Sequence, residues 1–144
     1  MMLEIDGIGQ FRAETARDRA EWERLRAFCE RWGDRAFSRD PSIGGHVTAS
    51  AFVLSPDGAD VLLTHHRTLG RWLQLGGHCD GQRDAMAAAL REAQEESGIP
   101  AITRLRDEVF DIDIHRIPAT SREQAHLHYD VRYLFQADTR PFAL

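Results

Sequence analysis

Hydrophobic and polar residues alternate most regularly in the C-terminal third of the chain, which predicts two long strands. Residues 108–117 and 126–137 each place apolar side chains on one face and polar side chains on the other. The eight-residue loop between them would join them as an antiparallel pair. A simple register of this pair brings three polar couples together: His115 with His128, Asp113 with Asp130, and Asp111 with Arg132.

Shorter apolar runs predict a β-hairpin and two further strands. Residues 46–66 are rich in β-branched and apolar residues on both sides of a Ser-Pro-Asp-Gly turn at 55–58. Residues 72–75 and 102–105 each predict a short strand, and we expect Trp72 in the core. Residues 1–12 give little signal, and residues 33–45 are typical of a connector.

Helical periodicity marks residues 15–32, which Thr15 can cap and Gly33 can end. The apolar residues of this helix recur on one face: Trp22, Leu25, Phe28, Cys29 and Trp32. We expect that face to pack on the protein's own sheet. A homodimer contact through the same face is the alternative, since tryptophan and phenylalanine are common anchors of interfaces.

A second helix is predicted after Asp84, which can cap it, and before Gly98, which can end it. Its apolar stripe consists of Met86, Ala89, Leu90 and Ala93. Ala85 and Ala88 fall within the arc of its carboxylates, where we expect their small side chains to leave room for an ion and a polyphosphate.

Length, composition and charge narrow the class of protein. A chain of 144 residues with 42% hydrophobic and 28% charged residues is typical of one globular domain. The net charge of −5 argues against a nucleic-acid partner. We see no signal peptide and no apolar run that could span a bilayer, so no membrane partner is expected. The two cysteines are too few for a disulfide framework, which favours a cytoplasmic location.

Three carboxylates of the second helix carry the clearest chemical signal. Glu92, Glu95 and Glu96 have the spacing i, i+3 and i+4, so they share one face. Their charges repel one another unless a cation lies among them, and hard oxygen ligands suit Mg²⁺ or Mn²⁺. A solvated acidic face is the alternative for any glutamate cluster. The preceding Gly76-Gly77 pair permits close approach of a ligand and favours the metal site.

The same stretch resembles the signature of the Nudix hydrolase family, which would span residues 77–99. Eight of its nine specified positions match at the family's spacing: Gly77, Arg91, Glu92, Ala93, Glu95, Glu96, Gly98 and Ile99. The departure is Arg83, which stands where the family has a glutamate. The pattern of strands around the signature extends the resemblance to about residues 46–137.

The resemblance implies an α+β fold, namely a Nudix-like α/β/α sandwich of mixed sheet with the signature's loop and helix, plus the N-terminal amphipathic helix. We expect one compact domain in which residues 1–45 form the N-terminal helix and connector and residues 46–144 form the Nudix-like catalytic part. Nudix domains usually add a further strand and a C-terminal helix, which the sequence does not predict here. The N-terminal helix, a second chain or a segment outside this sequence would then cover that face.

The resemblance also implies a function, the metal-dependent hydrolysis of a phosphoanhydride bond in a nucleoside diphosphate linked to another moiety. The substrate would be a small molecule such as an NTP, a nucleotide sugar, ADP-ribose or a dinucleotide. Mg²⁺ or Mn²⁺ would be held by Glu92, Glu95, Glu96 and the Gly77 carbonyl. Arg91 would orient the glutamates by bidentate pairing. The general base is open between these glutamates and a carboxylate outside the signature. The alternative is a catalytically silent Nudix-fold module that binds a nucleotide or a protein; the retained glutamates favour the enzyme.

Substrate contacts are expected outside the signature. His126, His128 and Asp130 lie on the polar face of the predicted C-terminal pair, and the family builds its pocket from sheet residues beside the signature helix. Arg67 is included because basic residues near that place often approach substrate in the family. A solvated sheet face and a separate His/Asp transition-metal site are the alternatives for the polar face.

Arg83 inverts the charge at its position. We expect Asp80 or Asp84 to supply the pairing that the family's glutamate makes within the loop.

Overall fold

The computed structural model describes residues 2–140, which contain two α-helices and ten strands. The helices are α1 (Ala16–Trp32) and α2 (Ala85–Ser97), and short 3₁₀ helices cover Gly33–Phe37 and Pro41–Ile43. The strands are β1 (Met2–Ile5), β2 (Gly9–Arg12), β3 (Gly45–Leu54), β4 (Val61–Leu62), β5 (Thr64–His66), β6 (Arg71–Leu73), β7 (Leu75–His78), β8 (Ile102–Arg104), β9 (Asp111–Ile117) and β10 (His126–Ala137).

Strands β3 and β10 form the centre of a six-stranded mixed sheet. They pair in parallel from Gly45 opposite Leu127 to Leu54 opposite Gln136. Strands β4 and β7 pair with β3 in antiparallel fashion, and β8 and β9 pair with β10 in the same way. The α+β class with a mixed sheet is therefore confirmed.

The predicted C-terminal pair is present with the predicted register. His128 lies opposite His115, and the two aspartate and arginine couples next to it align as expected. Strand β9 begins at Asp111, three residues later than the predicted start. Phe110 therefore falls outside the strand and is exposed. Its ring and that of Phe52 meet edge to face, with ring centroids 5.6 Å apart.

Helix α1 packs on the protein's own sheet, in agreement with the preferred interpretation. The Thr15 side chain accepts a hydrogen bond from the Asp18 backbone amide and caps the first turn. Phe28 stacks on Tyr129 of β10 with ring centroids 4.1 Å apart. Leu25 is fully buried, so most of the helix's apolar face lies in the core and not on an open surface. The apolar face of α1 is therefore not available as a homodimer contact. The homodimer itself stays a prediction.

An N-terminal β-hairpin, β1 and β2, was not predicted from residues 1–12. It closes the core on one side, since the Tyr133 hydroxyl donates to the Ile8 carbonyl at 2.7 Å. The hairpin turn also accepts a hydrogen bond at the Gly7 carbonyl from the Ala85 amide, at the first turn of α2. Hairpin, helices and sheet thus share one hydrophobic core.

The predicted hairpin at 46–66 is formed only in part, because β3 pairs with β4 at residues 61–62 and residues 64–66 of the predicted second strand pair elsewhere. Residues 64–73 fold into a separate two-stranded hairpin of β5 and β6. Trp72 lies on this hairpin and is 66% exposed, so its predicted place in the core is wrong. Its ring centroid lies 5.0 Å from that of His65, on the surface of the β5–β6 hairpin.

Helix α2 has the predicted ends. The Asp84 side chain accepts from the Ala87 amide, and Gly98 ends the helix in the left-handed conformation at φ 72°. Ala85 and Ala88 are completely buried, so they pack the helix onto the sheet and do not leave room for an ion, contrary to the prediction. Within the described residues, neither helix is long and apolar enough to cross a membrane.

Candidate active site

Two glycines in the middle of β7 bring the backbone next to the carboxylates of α2. The Gly76 amide donates to Glu96 Oε1 at 3.0 Å. Gly77 faces Glu92 so closely that an added methyl group would lie 3.0 Å from Glu92 Cδ and 3.1 Å from its Oε2. Strand β7 and helix α2 are therefore in contact at Glu92 and Glu96, which lie one turn apart.

The local charges at this contact suit a cation. Burial raises the pKa of Glu96, and the neighbouring charges of Glu92 and Glu95 raise it further, while the Gly76 amide opposes the shift. Glu95 and Glu96 are both exposed to solvent. Carboxylate and backbone oxygens are the ligands that Mg²⁺ prefers, and the atoms nearest to Gly77 are those of the Glu92 carboxylate. The residue types thus fit a hard divalent ion, although the oxygens of Glu92, Glu95 and Glu96 do not all lie within 4.8 Å of one another.

Arg91 contacts one glutamate instead of clamping several. Its Nη2 lies 3.6 Å from Glu92 Oε1, and its Nη1 donates to Gln82 Oε1 at 2.6 Å. These contacts do not include the bidentate pairing with the glutamates that was expected of Arg91. Its guanidinium instead ties the helix to the loop through a neutral side chain, Gln82.

Arg83 points away from the glutamates. It pairs with Asp34, and its Nη2 lies 3.2 Å from Asp6 Oδ2, so it connects the loop to the N-terminal region. The expectation for Asp80 and Asp84 is wrong: Asp80 pairs with Arg39 at 3.5 Å, while Asp84 caps α2. The loop partner of Arg91 is Gln82.

Asp130 lies beneath the polar face of β10 as the centre of a buried network. Thr48 and Ser50 donate to its Oδ1 at 2.8 Å each, and Arg132 Nε donates to its Oδ2 at 3.0 Å. Burial raises the pKa of Asp130, against the hydrogen bonds and the charge of Arg132, which lower it. The side chain is 3% exposed, so its contacts are with protein groups.

Histidines from three strands gather beside this network. One nitrogen from each of His46, His78 and His128 lies within 4.8 Å of the others, and within residues 2–140 no other trio of His, Cys, Asp or Glu comes together in this way. Burial lowers the pKa of His46 to about 4 and that of His128 to about 3, and the neighbouring histidines add to both shifts.

A model of the NUDIX domain matches residues 44–141, well over half of the chain. The chain belongs to the Nudix family. The match covers the whole predicted span of the resemblance and includes β3, α2 and β10. Nudix proteins generally use a divalent metal ion and act on small-molecule nucleotide substrates. A search of the curated proteins found no match to the chain.

The fold of this Nudix domain separates the predicted site residues into two groups. Gly77, Glu92 and Glu96 meet where β7 contacts α2, whereas His126, His128 and Asp130 belong to β10. Arg67 lies on the exposed turn between β5 and β6. The preceding residue, His66, is close enough for its charge to lower the pKa of Glu96. Asp130 is buried and bonded to protein groups, so its predicted place in the lining of a substrate cleft is wrong. The substrate roles of His126, His128 and Arg67 stay predictions.

Sequence reasoning missed three residues that matter to the geometry. His46 and His78 join His128 only because β3 lies between β7 and β10, and no spacing along the chain signals that arrangement. Gln82 is a loop residue of ordinary type, and its contact with Arg91 also has no signal in the sequence.

Proposed function

We propose that this Nudix protein is a divalent-metal-dependent pyrophosphohydrolase. Its substrate would be a nucleoside diphosphate linked to another moiety, such as an NTP, a nucleotide sugar, ADP-ribose or a dinucleotide. The observation that carries the proposal is the double contact between the two glycines of β7 and α2, at Glu92 and Glu96. It holds two carboxylates at fixed positions beside a backbone that a ligand can approach.

The reaction is the attack of water on one phosphorus of the phosphoanhydride. A P–O bond forms, the bridging P–O bond breaks, and the bridging oxygen leaves with the other phosphate. The proton lost by water goes to a carboxylate acting as general base, which is one of the three glutamates or a carboxylate outside the signature. A bound Mg²⁺ or Mn²⁺ would neutralise phosphate charge and lower the pKa of the attacking water.

Each residue of the site has a distinct proposed task. Glu92, Glu95, Glu96 and the Gly77 carbonyl would supply oxygen ligands to the ion. The Gly76 amide orients the Glu96 carboxylate through its hydrogen bond at 3.0 Å. Arg91 ties α2 to the loop, which keeps the Glu92 carboxylate in place.

The test is a hydrolysis screen across NTPs, nucleotide sugars, ADP-ribose, dinucleoside polyphosphates and NADH, with Mg²⁺ and with Mn²⁺. On the best substrate we expect Glu92→Gln and Glu96→Gln each to lower kcat by at least about 100-fold, since each removes a charged ligand. Glu30→Gln is the matched control, because Glu30 is an exposed glutamate of α1 that pairs with Arg26. Far-UV circular dichroism checks that each variant is folded.

Near-wild-type turnover in both site variants would refute the site assignment. Release of no product from any substrate with either metal would favour the silent-module alternative, in which the same fold binds a nucleotide or a protein. The position of Arg83 is the observation relevant to that alternative. Because Arg83 pairs with Asp34 and Asp6 and not with the glutamates, its presence leaves the proposed ligands undisturbed.

A further inference from the structure

Four histidines from three neighbouring strands meet beside the central sheet. His46 lies on β3, His78 ends β7, and His126 and His128 lie on β10. The register sets His128 directly opposite His46 and sets His78 opposite Thr48, two positions further along β3. Side chains two positions apart on a strand share a face, so the three strands deliver their histidines to one place.

The distances within this group suit a single small ion. One nitrogen from each of His46, His78 and His128 lies within 4.8 Å of the other two. His46 Nε2 and His78 Nδ1 are 3.0 Å apart. Two nitrogens bound to a tetrahedral zinc ion at about 2.0–2.1 Å are roughly 3.3–3.4 Å from each other. Modest rotations of the rings would therefore bring all three onto one ion.

We propose that His46, His78 and His128 bind one divalent transition-metal ion, with Zn²⁺ the expected one. His78 directly follows Gly77 in β7, and successive residues of a strand face opposite sides, so the histidine trio lies on the side of β7 away from Glu92. The two sites also differ in chemistry. Imidazole nitrogen suits zinc, whereas Mg²⁺ and Mn²⁺ favour carboxylate and carbonyl oxygen. The two sites would thus select different ions from the same solution.

A neighbouring histidine supports the orientation of the trio. His126 Nδ1 lies 2.8 Å from the Gln124 carbonyl oxygen, which can only accept, so Nδ1 of His126 carries the proton. In neutral His126 the Nε2 atom then keeps its lone pair, 3.2 Å from His128 Nε2. In that tautomer His128 Nε2 donates to His126 and leaves His128 Nδ1 for the ion, and such an outer contact orients metal-binding histidines. We assign His126 this positioning role.

A cavity gives access to the fourth position on the ion. It has a volume of about 280 Å³ and is lined in part by His46 and His126. Two arginines and two acidic residues, Arg39, Arg122, Asp40 and Glu123, also line it, so charges of both signs lie at its wall. Three protein ligands with one open position are typical of reactive zinc sites, while closed structural sites have four. Water or a small anion would complete the shell from the cavity.

Calorimetric titration of chelator-treated protein with Zn²⁺, in a buffer with excess Mg²⁺ to saturate the glutamates, tests the site. We expect one zinc ion per chain. His46→Ala, His78→Ala and His128→Ala should each weaken zinc binding by at least about 100-fold, since each removes a ligand. His126→Ala should weaken it by about tenfold, as loss of an outer contact does.

Two control variants show whether zinc binds to the histidine trio or elsewhere on the protein. His65→Ala removes an exposed histidine on β5, and Glu96→Gln removes a glutamate of the proposed active site; both should bind zinc as the wild type does. Thermal unfolding is measured for every variant, and His128→Gln replaces His128→Ala if the latter does not fold. The expected result for His128→Gln is the same loss of zinc affinity.

Absence of stoichiometric zinc binding would overturn the proposal, as would binding that survives all three ligand substitutions or that disappears in Glu96→Gln. The competing interpretation, in which His128 lines the substrate cleft, predicts a changed KM in His128→Ala with no zinc in the wild type. The titration requires no turnover. Its outcome is therefore distinct from that of the hydrolysis screen, and each proposal can fail alone.

Discussion

Two adjacent glycines in the middle of β7 allow a pair of matched substitutions with different expected effects. Gly76 has φ 147°, and an added methyl group would lie 2.6 Å from the Ala49 carbonyl oxygen and 2.7 Å from Ser50 Cα. Both are backbone atoms of the central strand β3, which cannot move without loss of its pairing. We expect Gly76→Ala to lower the free energy of unfolding by roughly 2–6 kcal/mol, from backbone strain and overpacking together.

Gly77→Ala should act on the site and not on the fold. Gly77 is not in the left-handed region, and the atoms that a methyl group would meet, at 3.0–3.3 Å, are the carboxylate end of Glu92. That end can shift by a few tenths of an ångström, so we expect a stability change below about 1 kcal/mol. Turnover should fall at least about tenfold, because displacement of a catalytic group by about 1 Å can reduce rates 100-fold.

Urea denaturation and initial-rate kinetics on the best substrate measure the two effects separately. The kinetics of Gly77→Ala should be repeated over a range of Mg²⁺ concentrations, since a displaced Glu92 is expected to raise the Mg²⁺ requirement. Wild-type stability in Gly76→Ala would show that the contact with β3 is not as tight as described. Wild-type turnover in Gly77→Ala would mean that the position of the Glu92 carboxylate does not limit the reaction.

Two further substitutions test contacts outside the site. Arg83→Glu should lower the free energy of unfolding by roughly 1–2 kcal/mol, because the exposed pairs with Asp34 and Asp6 become repulsive. It should keep kcat within about tenfold of wild type. A 100-fold rise in kcat would instead identify the natural protein as an impaired enzyme. Trp22→Ala should lower the free energy of unfolding by about 3–5 kcal/mol in chemical denaturation, since it removes a buried ring whose centroid lies 5.4 Å from that of Phe11. A loss below about 1 kcal/mol would contradict that packing.

Local patterns made the signature helix and the C-terminal pair readable from the sequence. Asp84 and Gly98 mark the ends of α2 because capping and the left-handed conformation depend on residue type at one position. The register of His128 with His115 followed from strand alternation and a short loop, both local properties. The contact of Gly77 with Glu92 was implied by the family resemblance and not by the residues alone.

Features that depend on long-range pairing could not be read in this way. Trp72 is apolar enough for a core position, but the hairpin of β5 and β6 carries it to the surface. The N-terminal hairpin was missed because its strands are only four residues long and owe their order to contacts such as that of Tyr133 with Ile8. Burial of Ala88 was misjudged because the side of α2 that faces the sheet is wider than its apolar stripe suggests.

The parallel pairing of β3 with β10 also governs when the molecule can fold. Thr48 and Asp130, which meet across this pairing, are 82 positions apart in the chain. Closure of so long a loop lowers the entropy of the chain before the contacts that offset this cost can form, and such topologies fold slowly. During synthesis β3 would remain an open edge on the side of β10 until residues 126–137 have emerged. Neither the buried aspartate network nor the histidine group can form earlier, so the synthesis of β10 completes both.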